Sequence, residues 1–485
     1  MLLFSLLLLG CVPANNFVAA DEWTGQTTLS APRSLAMQGA ADDALSIVRR
    51  MDRADGRGAD GTPTPLSAAE HLRRANIYLL NRAFDEARQH YQILIERYPN
   101  DPKIPAAIFG IGRSYFQARR YAESLPFFER LARDYATVQE GRDGLSNLGA
   151  ALLRLGRADE AARRYIEYTE RFPQGERIES SYLNVVDAYR EADQTAEAIN
   201  WIARTRARFP NSATNTNALF SRLRLDVATG EWPHAQQTAD ELRRAPLFAK
   251  GVATNAMEVA YLKAYSLERA GRLEEAVSDY LAIPDKVNSY YGAQATVRLL
   301  SISSATGRPV VTARTIAAEN SVAASLYPAP YRETIARAAR ARNIDPRIVL
   351  AIMRQESNFR PRAKSNAAAR GLLQLTIDTA SKYAARAGYP NLRDEDLYVP
   401  EISIAVGSEY IGELARLFPN NPEAVIASYN GGEDNVARWM KRARQNDPGV
   451  FTSEIGFSET KDYVFKVMSN YRAYRKLYTI DLKPR

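Results

Sequence analysis

Glu356 is the residue whose type and setting best suit chemistry in this chain. It lies near the end of the segment Asp345 to Ser357, reading DPRIVLAIMRQES. Asp345 is a good N-cap and Pro346 suits the first helical position, so a helix is predicted to start there. At about 100° per residue, with Ile348 at 0°, Ile352 falls near ~40°, Val349 near ~100° and Met353 near ~140°. Glu356 falls near ~80°, inside that apolar arc, and Arg354 near ~240°, facing away. A carboxyl drawn toward a core has its pKa raised by desolvation, which is what a general acid needs near neutral pH. The alternative at the same position is a solvated glutamate at a helix end, the ordinary fate of Glu.

Other chemistries are removed by scarcity. The chain has one cysteine, Cys11, and three histidines, His71, His90 and His234, all in its first half. A Cys/His hydrolase, a disulfide and a Cys-ligated metal are therefore excluded for the body of the protein. A site in the second half must work without imidazole, against Ser-His-Asp triads and most zinc centres. Carboxylates, hydroxyls and amides remain. The net charge of +8, from 64 basic and 56 acidic residues, is spread without a Lys/Arg run. That excess suits an anionic polymer such as nucleic acid or cell wall, or simply solubility.

The elements that must position Glu356 follow from length and repeats. A chain of 485 residues, 46% hydrophobic and 25% charged, implies a soluble protein of two or three units. Phe84-Asp85-Glu86-Ala87 recurs as Tyr121-Ala122-Glu123-Ser124, Ala158-Asp159-Glu160-Ala161 and Thr195-Ala196-Glu197-Ala198, a spacing of 37 residues (87 to 124, 124 to 161, 161 to 198). About eleven positions on come Tyr98-Pro99, Tyr135-Ala136, Phe172-Pro173 and Phe209-Pro210, with weaker copies at Trp232-Pro233-His234-Ala235 and Leu273-Glu274-Glu275-Ala276. Small residues let paired helices approach closely, and the aromatic-Pro pair ends the second helix. The pattern resembles tetratricopeptide-like repeats stacked as a solenoid with a concave face that can bind extended partners, including proteins. The three histidines are read as packing or surface residues. Gly56 to Pro65 (GRGADGTPTP) reads as a flexible lead-in.

Further motifs follow Glu356-Ser357. They are Ser365, then Gly371-Leu372-Leu373-Gln374-Leu375, then Ser428-Tyr429-Asn430-Gly431-Gly432 with Val436 and Trp439, and last Phe457-Ser458-Glu459-Thr460 with Tyr463-Val464. In this order and spacing they resemble the SLT-type (soluble) lytic transglycosylases, over the whole C-terminal third of the chain. The resemblance implies a mainly α protein, an N-terminal α-solenoid followed by a lysozyme-like (goose-type) α domain. It implies Glu356 as the catalytic acid/base, with Ser365 and Gln374 lining the cleft. Tyr429 and Asn430 would hold the sugar N-acetyl group and orient the glutamate, and Glu459 would be a further cleft carboxylate. The implied reaction cleaves the MurNAc–GlcNAc β-1,4 bond of peptidoglycan strands. By the same resemblance Glu356 would protonate the leaving oxygen and then take the proton of the C6 hydroxyl, giving 1,6-anhydroMurNAc without water, metal or cofactor. A lysozyme-like hydrolase and an inactive glycan-binding scaffold are the competing readings. Bland roles also stand beside the implied ones: a turn cap for Ser365, a core ring for Tyr429, a turn at Asn430-Gly431 and a favourable helix-start acid for Glu459. The chain departs from the family pattern at Leu373 (usually Met), Ile377 (Pro), Ala368 (Gly) and Gly431-Gly432-Glu433-Asp434 (Ala-Gly-Pro-Gly).

The N-terminus reads as an export signal. Residues 2–9 are nearly all apolar and too few for a membrane span. Leu8-Leu9-Gly10-Cys11 resembles a bacterial lipobox, making Cys11 a lipid anchor, with Val18-Ala19-Ala20 before Asp21 as an alternative cleavage site. Val12 after the cysteine points to the outer membrane by resemblance to enteric sorting. The expected organisation is a signal over 1–20, a flexible segment over 21–65, repeats over 66–300, a linker over 301–330 and the transglycosylase-like domain over 331–485. The expected partner is the peptidoglycan strand in the periplasm, with no nucleic acid and membrane contact only through the lipid.

Overall fold

The structure, a computed structural model, describes residues 35–56, 66–247, 249–307 and 324–485. Cys11 and the rest of residues 1–34 lie outside the described residues, as do most of the Gly56–Pro65 lead-in and the centre of the 301–330 linker. Among the described residues the chain is helical, with only isolated bridges and no strand.

Six helical hairpins form the N-terminal part. They are Ala68–Leu80 with Phe84–Arg97, Ile104–Gln117 with Tyr121–Asp134, Gln139–Arg154 with Ala158–Arg171, Ile178–Glu191 with Thr195–Arg208, Ala213–Thr229 with Trp232–Leu242, and Ala256–Arg269 with Leu273–Ala282. The repeated small residues Ala87, Ser124, Ala161, Ala198, Ala235 and Ala276 are all fully buried, which is the close helix approach that their spacing predicts. Tyr98, Tyr135, Phe172 and Phe209 each cap the second helix of a hairpin. Glycines 110 and 149 sit where a Cβ would press into the rings of Tyr91 and Tyr165 at 2.3 and 2.7 Å.

The stretch 21–65 is not uniformly flexible. Leu35–Asp55 forms a helix that docks on the first hairpin, burying Leu45 and Val48. Its attachment is largely polar. Asp52 accepts hydrogen bonds from Arg74 and Tyr78, and its Oδ2 lies 3.2 Å from His90 Nε2. His90 Nδ1 in turn meets His71 Nδ1 at 3.0 Å, and Leu66 N donates to His71 Nε2. So His71 and His90 are packing residues, while His234 is exposed. Burial pushes His71 down to about 4, so it is neutral at physiological pH. Long-range polar contacts with the first hairpin hold this helix in place.

After the Tyr290–Thr306 helix, the C-terminal part packs Arg332–Arg340, Pro346–Ser357, Ile377–Ala384, Pro400–Leu417, Pro422–Gly431, Glu433–Ala443, Pro448–Ser453 and Ser458–Leu477 into one bundle. The Pro346–Ser357 helix is its centre. Leu350 and Ala351, off the predicted apolar arc, are as fully buried as Val349, Ile352 and Met353. Neighbours enclose this short helix on nearly every side, which a one-sided wheel does not foresee. It packs mainly against the Ser458–Leu477 helix.

Solenoid and bundle meet through buried charge. Glu454, just before the Ser458–Leu477 helix, takes a hydrogen bond from Arg190 and lies 3.5 Å from both Arg224 and Arg442. Glu191 takes Arg438 at 2.7 Å and Arg442 at 3.2 Å. Lys461, inside that helix, donates to Glu258 at 3.0 Å, and both are buried. Asp187 is held below the usual carboxylate range, its arginine neighbours overriding the upward push of burial. Removing one member of such a cluster leaves an uncompensated buried charge. Glu454→Ala is therefore expected to lose about 3 kcal/mol or more in chemical denaturation; a loss within about 0.5 kcal/mol, the range of an ordinary surface change, would show that the cluster does not hold the parts together.

Candidate functional site

Glu356 ends its helix where the chain must turn sharply. Asp345 Oδ1 caps the helix start by accepting from Arg347 N at 2.9 Å, and Pro346 follows as expected. At the other end Asn358 and Phe359 both take left-handed conformations, φ 47° and 63°. Ser357 Oγ donates to Leu372 O at 2.8 Å, tying this end of the helix to the 363–375 loop. Within that loop Gly371 has φ 79°, and a Cβ there would come within 1.9 Å of Leu397 O, so only glycine fits.

The Glu356 side chain is half-buried, and its Oε1 accepts a hydrogen bond from the Tyr463 hydroxyl at 2.7 Å. Burial pushes its carboxyl up to about 8, the Tyr463 hydrogen bond opposes this, and the charge of Glu459 adds to it. Glu356 is thus protonated at neutral pH, the state a general acid needs. Tyr463 is itself buried and its own ionisation is pushed well above the usual phenol range, so it stays a donor.

The other predicted residues gather unequally around this carboxyl. Tyr429 is buried against Tyr410, with ring centroids 5.2 Å apart, and donates to Leu373 O at 2.6 Å. Its ionisation is raised by burial and then by the nearby Glu356. Asn430 Oδ1 accepts from Thr460 Oγ1 at 2.6 Å, while its Nδ2 is buried without a hydrogen-bond partner. Gln374, with φ 47°, spends Nε2 on Ala363 O and Gly371 O, both at 2.9 Å. Glu459 is exposed at the start of the Ser458–Leu477 helix. Ser365 does the work of a turn cap, its Oγ accepting from Ala367 N and Ala369 N at 3.2 and 3.1 Å. The direct orienting bond on Glu356 comes from Tyr463, whereas the Tyr429 hydroxyl holds a loop carbonyl. Tyr463 sits in the closing motif, and a hydroxyl of that motif lying one helix contact from Glu356 was the available signal.

Gln374, Tyr429 and Asn430 line a cavity of about 180 Å³, together with Tyr410, Arg119 and Tyr121. The last two belong to the solenoid, so the cavity lies between the two parts. Glu356 is not among its lining residues; Tyr429 connects the two.

With this geometry in hand, the likenesses to known proteins fall into place. Residues 333–451 match the family model of the transglycosylase SLT domain, and residues 40–102, 72–143 and 109–176 match that of the tetratricopeptide repeat. The chain combines tetratricopeptide repeats with a transglycosylase SLT domain, as its motifs imply. It is 36% identical over 143 residues to a putative soluble lytic murein transglycosylase of Haemophilus influenzae, covering 29% of this chain and 24% of that one. The soluble lytic murein transglycosylase of Escherichia coli K12 is 32% identical over 157 residues, 32% of this chain and 24% of the relative. The membrane-bound lytic murein transglycosylase C of Salmonella arizonae is 31% identical over 169 residues, 30% and 46% respectively. The chain thus spans about a quarter of the length of the soluble relatives it matches. Among solved structures, an inactive mutant of lytic transglycosylase Slt from Pseudomonas aeruginosa aligns with a TM-score of 0.49 at 19% identity, over 85% of this chain and 73% of that one. The 70 kDa soluble lytic transglycosylase of Escherichia coli aligns with a TM-score of 0.46 at 19% identity, over 90% and 86%.

Two outcomes follow from the electrostatics. Because the Tyr463 hydrogen bond favours the carboxylate, Tyr463→Phe should move the Glu356 titration to higher pH in carboxyl NMR, and an unmoved titration would show that the bond does not tune the acid. Glu356 has its folded pKa raised above the ordinary 4.5, so its stabilising contribution is full below about 4.5 and is lost as pH rises through about 8. Thermal melts from pH 4 to pH 9 should therefore show wild type losing stability relative to Glu356→Gln, with no such divergence if the carboxyl is not buried.

Proposed function

We propose that this protein is a peptidoglycan lytic transglycosylase. The carrying observation is a single half-buried carboxyl, Glu356, held protonated near neutral pH and aimed by Tyr463. Most glycosidases use two carboxylates across the bond, and substrate-assisted enzymes are the exception. Here the second acid, Glu459, is exposed at a helix start. That arrangement suits one residue acting first as acid and then as base.

Glu356 gives its proton to the GlcNAc oxygen leaving MurNAc C1, and the C1–O bond breaks. The neighbouring N-acetyl group of the substrate stabilises the positive charge at C1. The ionised Glu356 then removes the proton of the MurNAc C6 hydroxyl as O6 bonds to C1, so Glu356 ends protonated and the product is 1,6-anhydroMurNAc. The buried Asn430 Nδ2, left without a protein partner, supports a role in binding the acetamido oxygen, with Gln374 and Ser365 bordering the strand in this reading. Matched relatives named as murein transglycosylases support the reading. The strand lies in the periplasm, and an acylated Cys11 would hold the protein at the outer membrane; no described helix is long and apolar enough to cross a membrane.

Digestion of purified sacculi followed by mass spectrometry tests this directly. Wild type should release anhydromuropeptides, with activity falling as pH rises above about 8, and Glu356→Gln should release essentially none. Reducing-end MurNAc as the product would replace this reading with hydrolysis.

A further inference from the structure

The turn joining the two helices of each hairpin contains one residue in the left-handed region, at a fixed place in the repeat. The positions are Arg82, Arg119, Gly156, Asp193, Gly230 and Gly271, with φ of 61°, 60°, 72°, 59°, 79° and 79°. Glycine adopts this conformation freely, whereas a long side chain is strained in it. The third, fifth and sixth hairpins use glycine, and at Gly156 and Gly271 a Cβ would meet nothing within 4 Å. The first two hairpins instead tolerate arginine, and an observed outlier of this kind points toward function.

Both arginines reach the SLT domain. Arg82 grips Asp378 with two hydrogen bonds, at 2.7 and 2.6 Å, and also donates to Gln117 O, which uses up most of its fork. Arg119 donates to Glu433 Oε1, lies 4.0 Å from Asp434, and packs over Gly432, where a Cβ would come 3.0 Å from its guanidinium. Glu433 and Asp434 stand where the family pattern has proline and glycine, so the departure in one part faces the departure in the other. Arg119 still keeps 35% of its side chain open while lining the cavity beside Tyr429 and Asn430. Across that cavity the Asn430 Nδ2 and the fully buried Ser428 Oγ have no protein partner.

We propose that the turn of the second hairpin forms a wall of the saccharide cleft and that Arg119 contacts the strand directly, setting specificity for this chain, with Arg82 as a positioning residue that holds the wall. This rests on the transglycosylase reading and deepens it. Arg82 and Arg119 each face a carboxylate, and Lys382 also borders the cavity. The rings of Tyr121 and Tyr410, the Asn430 amide and the part-open Arg119 fork fit an N-acetylated sugar.

The test uses the full chain. Arg119→Gly installs the residue that three other hairpins already carry, so the fold should be kept. On purified glycan strands its KM should rise about tenfold, the loss of roughly one charge-assisted hydrogen bond, with kcat within about twofold. A KM equal to wild type would overturn the proposal. A docking role alone is separated by exchanging the pair, Arg119→Glu with Glu433→Arg, which restores the bridge without the guanidinium at position 119. A wild-type KM in the exchanged pair would also overturn it; a KM still raised supports it. If wild type released no fragments from sacculi, the transglycosylase reading would fail by itself. Sedimentation of wild type and Arg119→Gly with sacculi would then still decide the wall: weaker binding by the variant supports it, and equal binding overturns it.

Discussion

The buried ion cluster centred on Glu454 is the constraint on which the site depends. Desolvating charges is costly, and such a cluster persists only where each charge finds its partners. Here the partners come from both parts of the chain: Arg190 and Arg224 from the solenoid, Arg442 from the bundle. Lys461 and Glu258 repeat the arrangement two turns of chain later. Between and just beyond these anchors lie Glu459, Thr460 and Tyr463, which act on Glu356 and Asn430. The register of one helix therefore transmits the fit of the solenoid to the hydroxyl that holds the acid.

The Glu356 carboxyl is kept at a cost in stability. Enclosing a carboxyl in the centre of the bundle raises its pKa, and ionising it there costs folding free energy. Tyr463 moderates that cost without abolishing it. Tyr429, deprived of a direct role on Glu356 by its bond to Leu373 O, instead fixes the loop that carries Gln374. The site is thus held by hydrogen bonds between its motifs, each motif satisfying polar groups of another.

The solenoid is more than a spacer. Its turn position is used in three ways: glycine in the third, fifth and sixth hairpins, Asp193 where Arg444 and Lys441 are bridged, and arginine at the cavity. A repeat architecture offers the same position to the neighbouring bundle many times over, so a charge placed there is carried to a predictable place.

Periodicity and local signals were legible without coordinates. The 37-residue spacing announced paired helices because a small residue is needed wherever two helices touch, and Asp345-Pro346 announced a helix start because capping is local. Glu356 could be singled out because its position on that helix and the lack of imidazole are both properties of the chain alone. What needed the tertiary structure were the long-range polar pairings. Arg119 with Glu433, Glu454 with Arg190, Tyr463 with Glu356 and Asp52 with the His90 pair all join residues far apart in sequence. The Leu35–Asp55 helix was missed for the same reason, since contacts with the first hairpin hold it. Apolar patterning is periodic and readable, whereas a polar group's partner is chosen by the fold, and the partners decide which carboxyl is a tuned acid and which is an exposed one.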